Sequence, residues 1–444
     1  MPNITAFVTD SRKLIYVLGG GIALLVFLTF IFILRNFGGS TGTGDVTLEV
    51  WGVFDDRQAF DVAIRAFEQA NDGITVQYRL IPFADYEQTL LNALAADQGP
   101  DVFMIHHTWL PKHIDKIQPL PDRFPDTEEP LMTIRQFRDT FADVAYADLV
   151  NEDHVYAMPL YVDTLALYYN RDILSAAGIA SPPATWTDFL SAVQAINQYD
   201  QSRNILRSGG ALGTARNVNR STDILMMLML QSGVRMTDDD GTQATFSRSV
   251  DNQPVGERAL QFYTDFANPS KEVYSWNDTQ DYNIDAFVSG KTAMLLNYNH
   301  QIAAIRQAAP RLNFGVAAAP QASTADARTY ANYWPLTVAL SSEHPYEAWR
   351  FIHYMTAGAG TTPYLTQTGR PAARRDIIAQ QQREPDLGVF AQQALTARSW
   401  FQVDNQAIET IFADMIDSVN LGRQSVRDAL RDAEAKVSVL MSGR

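Results

Sequence analysis

Hydrophobic and polar positions follow three regimes along this chain. Residues 14–34, LIYVLGGGIALLVFLTFIFIL, are twenty-one positions without a charge, with Arg12 and Lys13 before them and Arg35 after them. At about 1.5 Å per residue such a run covers roughly 30 Å, the thickness of a bilayer core, so one membrane-spanning helix is expected after a short tail at 1–13. A secretory signal would have a shorter apolar part followed by a small-residue cleavage site. The run here is longer, and residues 36–39 carry no A-x-A pattern. Residues 35–45 are rich in Gly, Ser and Thr and read as a flexible linker.

Beyond the linker, a period of two and a period of 3.6 take turns. Residues 46–53 (VTLEVWGV) and 74–81 (ITVQYRLI) read as strands, and 101–105 (DVFMI) as a short buried strand. Between them, Phe60, Ile64 and Phe67 recur at helical spacing over 56–70, and Leu90, Leu91 and Leu94 share a face over 85–97. This βαβαβ order predicts a parallel sheet with right-handed crossovers, whose ligands sit at the carboxyl ends of its strands. Further on, 164–169, 293–298 and 334–340 read as strands. Helices are expected near 222–231, 255–266 and 301–308. Thr185-Trp186-Thr187-Asp188 opens another as a capping box. Residues 404–420 and 425–440 have clean amphipathic spacing, with Gly422 at the break.

Composition narrows the partners. The net charge of −15 argues against nucleic acid and against the body lying on an anionic membrane. Cysteine is absent, which excludes disulfides, thiolate metal sites, cysteine nucleophiles and a lipid-modified cysteine. A literal G-x-S-x-G at 38–42 follows an apolar helix rather than a strand, so it is no nucleophile elbow. His106, His107 and His113 match no common metal spacing. Asp238-Asp239-Asp240-Gly241 lacks the alternating ligands and terminal glutamate of a calcium loop. No metal and no cofactor is expected.

Residues 156–190, YAMPLYVDTLALYYNRDILSAAGIASPPATWTDFL, resemble the extracellular solute-binding proteins of ABC importers, in the sugar-binding, maltose-binding-protein-like group. The shared features, in order, are Y-x-x-P, Y-Y-N, A-G-I and P-x-T-W. Gly99-Pro100-Asp101-Val102-Phe103, the FVSGKTAMLL of 287–296 and the strand and helix of 334–357 are similar too. Where the family usually has a glycine after the A-M strand, this chain has Asn297-Tyr298-Asn299. The resemblance implies an α/β, two-lobed periplasmic-binding-protein-like (type II) fold with a hinge, preceded here by one N-terminal transmembrane helix. It places 46–157 plus 298–341 in lobe 1 and 158–297 plus 342–444 in lobe 2. The lobes would close around one solute.

A sugar offers a flat apolar face and a rim of hydroxyls, which suits aromatic side chains and short planar polar groups. The strand-end loops supply Trp51 and Asp55, Phe83 and Asp85, His107 and Trp109. Tyr161 and Asp163 follow Pro159, Asn297 and Tyr298 end one strand, and Tyr333 and Trp334 begin another. Trp276 lies in an aromatic and amide-rich loop, and Arg370 in a loop that approaches the cleft in the family. Trp51 and Trp334 serve either the cleft or packing, in the core or between the lobes. Asp163 holds either ligand or hinge, and Arg370 pairs with either ligand or a carboxylate.

The expected protein is therefore a binding protein and not an enzyme. It is expected to be a monomeric receptor: a body outside the cytoplasm, tethered to the cell membrane by a single pass, that captures a carbohydrate, most simply an oligosaccharide, and delivers it to ABC permease subunits. An anchored sugar sensor or adhesin without transport, and a cell-envelope glycoside hydrolase, are the competing readings.

Overall fold

The first strand, Val46–Gly52, alternates at its start and is buried on both faces by its end. The helix Arg57–Ala70 lays Phe60, Ala63, Ile64 and Phe67 against it. The strand Ile74–Leu80 and the helix Phe83–Ala95 follow, and then the wholly buried strand Val102–Met104. Val50 pairs with Val102 and Trp51 with Phe103 in parallel register. Such pairing requires a crossover connection, which the helices supply. These elements come from a computed structural model that describes residues 45–127 and 129–442. The expected tail, membrane span and nearly all of the linker lie outside the described residues. Among the described residues no helix is long and apolar enough to cross a membrane.

Two sheets organise two lobes. The first lobe holds a five-stranded sheet in the order Ile74–Leu80, Val46–Gly52, Val102–Met104, Leu336–Ala339, Ile117–Gln118. Leu336–Ala339 arrives from far along the chain and runs antiparallel to both neighbours. The second lobe centres on Ala166–Asn170, flanked by Met294–Asn297 and Phe314–Ala318, both antiparallel to it. Beneath that sheet the helix Ser221–Gln231 is buried on nearly every side, in one core with Phe189, Tyr263, Trp276 and Leu430. A helix apolar all round belongs in such a core.

The chain passes between lobes beside a small third sheet of Asp163–Thr164, Thr329–Asn332 and Ala397–Arg398. Met158 still bridges to Leu336 in the first lobe, whereas Ala166 already pairs in the second. Gln393 clasps this region. Its amide donates to Thr164 Oγ1 and to the Leu165 carbonyl, both at 3.1 Å, and its oxygen accepts from the Ala319 amide at 2.9 Å.

Two expected lobe boundaries move. Residues from 298 were expected in lobe 1, but Phe314–Ala318 pairs along its whole length with the second-lobe strand Ala166–Asn170. Residues from 342 were expected in lobe 2, but the helices Pro345–Thr356 and Thr361–Thr368 pack on Arg57–Ala70. Phe351 meets Phe67 edge-on at 5.2 Å, and Tyr364 lies 4.9 Å from Phe60. The periodicity identifies a strand or a helix, but not the sheet it joins, because that choice depends on contacts distant in sequence.

Candidate functional site

The loops at the carboxyl ends of the first-lobe strands carry aromatic rings into the space between the lobes. Gly52 lets the first of these loops turn closely under Tyr78, since a Cβ at Gly52 would lie 1.9 Å from the Tyr78 hydroxyl. Phe54 is thereby presented 5.6 Å from Phe83, ring to ring, and edge-on to Trp334 at 5.4 Å. Trp334 is the hub, with Trp109 at 4.9 Å, His106 at 5.4 Å and Tyr86 at 5.8 Å. Offset and edge-to-face pairs of this kind are the favoured arrangements of aromatic rings, so these side chains form one packed platform.

A cavity of about 480 Å³ lies over this platform, and one of about 170 Å³ adjoins it. Phe54, Arg220, Asn332 and Trp334 line both, so they are two compartments of one cleft. Facing the rings of the larger compartment are Arg220, Asn405, Gln406 and Glu409 of the second lobe. The smaller one is closed by Tyr161, Asp163, Tyr298, His300 and Arg370. Two contacts span the mouth of the cleft. Trp109 Nε1 donates to Asn405 Oδ1 at 2.5 Å, and Lys112 pairs with Asp404 at 3.1 Å while also holding Glu87 at 2.9 Å.

The charged groups of the site fall into distinct settings. Arg370 donates to Asp55 at 2.8 Å and lies 4.3 Å over the Tyr161 ring, and Tyr364 donates to the same carboxylate at 2.7 Å. Asp163 accepts from the amides of Thr164 and Asn299 at 2.8 and 3.0 Å. Tyr298 donates to Asp223 at 2.8 Å. Burial holds the His106 imidazole well below its ordinary range, with the charges of His107 and Arg220 adding to the effect, so it faces the cleft neutral. Burial pushes the Glu409 carboxyl up to about 7, assisted by Asp223 and opposed by Arg220. Arg220 itself has φ +63°, a left-handed conformation rare for a side-chain-bearing residue and concentrated at functional sites.

The raised Glu409 carboxyl has a direct consequence for stability. A carboxyl whose folded value exceeds its unfolded one favours the native state below the unfolded value, and that contribution is lost as pH rises through the folded value. Unfolding free energy should therefore fall between pH 4.5 and about 7. Glu409→Gln should flatten this segment of the profile, as read by urea denaturation across that range.

Seven expected site residues line the cleft: Phe83, Trp109, Tyr161, Asp163, Tyr298, Trp334 and Arg370. The other seven do not. Trp51 is buried in the first-lobe core beside Arg79. Asp55 acts from behind Arg370. Asp85 is exposed in the first turn of its helix. His107 stacks on Tyr333 at 4.6 Å, and both hold Asp148, at 3.0 and 2.7 Å. Trp276 is fully buried in the second-lobe core and donates to Asn217. Asn297 is buried and donates to Asn219.

Several misses are by one residue. His106, Asn332 and Phe54 line the cleft where neighbours were named; Asn332 ends the strand Thr329–Asn332, where successive side chains point to opposite sides, whereas Phe54 lies in a bend and His106 precedes a tight helical turn. Asn405 could have been found beside the expected helix start at 404. Arg220 and Glu409 carry no local signal, since only packing in the second lobe brings their elements to the same wall.

Two lobes facing each other across an aromatic and polar cleft define a ligand-capturing protein. Residues 51–361 match the family model described as bacterial extracellular solute-binding protein, and the chain belongs to that family. A putative binding protein of Brucella abortus is 24% identical over 397 residues, covering 86% of this chain and 89% of the relative. The sugar-binding protein MalE of Xanthomonas citri superposes with a TM-score of 0.75 at 22% identity, over 89% of this chain and 98% of that one. The cyclic alpha-maltosyl-1,6-maltose binding protein of Arthrobacter globiformis gives 0.75 at 21% identity, over 90% and 100%.

Proposed function

We propose that this protein captures a carbohydrate, an oligosaccharide, between its lobes and delivers it to the permease of an ABC importer. The observation that carries this reading is the pairing of Phe54, Phe83, Trp109 and Trp334 on one wall with Arg220, Asn405, Gln406 and Glu409 opposite. Rings stack on the apolar face of a sugar, while amides, carboxylates and a guanidinium meet its hydroxyl rim. Sugar-binding relatives of the same fold support the choice of solute. Closure follows from the ligand's contacts with both walls, since a ligand shifts the lobes only by its differential affinity for the closed state. The body works outside the cytoplasm as a monomer, tethered by the apolar segment at 14–34, which takes the place of a lipid anchor. No covalent step is required of it.

A thermal-shift screen of the full-length protein over neutral oligosaccharides, peptides and polyamines tests this. One glycan class should raise the melting temperature by several degrees, because binding to the native state alone stabilises it. Stabilisation by peptides or polyamines alone would refute the carbohydrate reading, and release of shortened glycan would replace it with hydrolysis. Phe83, 59% exposed, separates binding from folding. Phe83→Ala should weaken glycan affinity about tenfold, the scale of one lost stacking contact, with the melting temperature nearly unchanged.

A further inference from the structure

The mouth of the cleft is crossed by two contacts that start from one short segment of the first lobe and end on adjacent residues of the second. Trp109 closes the tight turn His107–Trp109, and Lys112 lies on the helical turn Leu110–His113 directly after it. Their partners, Asn405 and Asp404, open the helix Asn405–Asn420, which is held in the second-lobe core through Ile408, Phe412 and Ile416. Trp109 is held to the first lobe by its ring contacts with Trp334 and Tyr86. Each end therefore moves with its own lobe. When the lobes swing apart about their hinge both contacts break, so they belong to the closed arrangement alone.

Lys112 serves two carboxylates, one from each lobe. Its Nζ donates to Glu87 of the helix Phe83–Ala95 at 2.9 Å and to Asp404 at 3.1 Å. Glu87 also holds the His113 ring, Nε2 to Oε1, at 3.0 Å. Asp404 divides its carboxylate: Oδ2 takes Lys112, while Oδ1 caps the helix by accepting from the Ala407 amide at 3.0 Å. On opening, Lys112 keeps Glu87 and Asp404 keeps its cap. The side chains of Lys112, Glu87 and Asp404 are 30%, 23% and 34% exposed, so the oxygen that Lys112 leaves is taken up by water. Opening thus strands no buried charge, which is the costly case. The same partial exposure leaves the pair within reach of dissolved salt.

We infer that Lys112 and Asp404 form an electrostatic latch: Lys112 rests on Glu87 in the open protein, reaches Asp404 as well when the lobes meet, and so populates the closed arrangement before any solute enters, to an extent set by ionic strength. The Trp109–Asn405 hydrogen bond lies beside the ion pair and forms in the same closing motion. Any solute gripped by both walls benefits, because apparent affinity rises with the fraction of protein already in the binding-competent arrangement. The latch is independent of which solute the cleft takes.

The absence of cysteine makes a direct test available. Asp85→Cys and Ala435→Cys, at exposed positions of the first and second lobes, take one spin label each. Pulsed dipolar spectroscopy of the full-length protein without solute then reads the distance between the lobes. The parent should show two populations, a shorter closed distance and a longer open one. Raising NaCl from about 0.1 M to about 1 M shortens the screening length from about 10 Å to about 3 Å, and should lower the closed-to-open ratio about threefold, the scale of one partly exposed ion pair. Asp404 lines neither inner compartment, and asparagine caps a helix as well as aspartate does, so Asp404→Asn removes only the charge. That variant should show the lowered ratio already at the lower salt, with no further response to NaCl. Lys112→Met should do the same, and the two substitutions together should do no more than either alone, as holds when both remove one interaction. A distance distribution untouched by salt, a salt response that survives Asp404→Asn, or effects of the two substitutions that simply add would each overturn the latch and leave solute capture standing.

Discussion

Trp334→Ala is expected to abolish glycan binding and to lower the unfolding free energy by about 3–5 kcal/mol. Trp334 is 3% exposed, yet it lines both inner compartments. It is an edge-on partner of Phe54, Tyr86 and Trp109, at 5.4, 5.8 and 4.9 Å. Truncation removes the ring on which these pack and opens a void that the rigid sheet ends cannot collapse into. Phe54, whose ring stands on Trp334 and Phe83, then loses its orientation. Urea denaturation reads the stability loss and calorimetric titration the binding loss. Trp334→Phe separates the two effects, since it keeps most of the packing but offers a smaller face. It should recover most of the stability and only part of the affinity. A variant that folds with parental stability and binds as before would show that the platform is built without this residue.

Asp55→Ala should be nearly as damaging to folding, although Asp55 lines neither compartment. Its carboxylate holds Arg370 at 2.8 Å and Tyr364 at 2.7 Å, with side-chain exposures of 15% for Asp55 and 13% for Arg370. Removing one partner of a buried ion pair leaves the other charge uncompensated, at about 3–5 kcal/mol. Arg370 would retain only its position over the Tyr161 ring, and its Nε already lacks a partner among the described residues. The double variant Asp55→Asn with Arg370→Met removes both charges and should regain most of the lost stability, as measured by urea denaturation of the parent and both variants. If the double variant is no more stable than Asp55→Ala, the pair is not what holds this corner. Because Arg370 and Tyr161 wall the smaller compartment, the single variant should also bind glycan more weakly.

Much of the secondary structure was legible. The strands expected at 46–53 and 74–81 are Val46–Gly52 and Ile74–Leu80, and the helix expected from 404 is Asn405–Asn420 with Asp404 capping it. Thr185 accepts from the Asp188 amide, as its spacing implied. These features depend on neighbours within one turn or one pleat. Trp276 shows where local reasoning fails. Its loop is rich in amides and aromatics, yet the ring is fully buried and its Nε1 reaches Asn217, 59 positions away. His107 and Tyr333 fail differently: each is on the correct loop but faces Asp148 rather than the cleft.

By itself the sequence determined the order of strands and helices, the aromatic loops of the first lobe and the family, because periodicity, caps and short motifs act over a few residues. Only the tertiary structure decided that Phe314–Ala318 joins the second-lobe sheet and that Pro345–Thr356 returns to the first lobe. It alone brought Arg220 and Glu409 to the wall opposite Trp334. Those outcomes depend on contacts between segments more than a hundred residues apart, where the packing of whole elements, and not local preference, selects the partner.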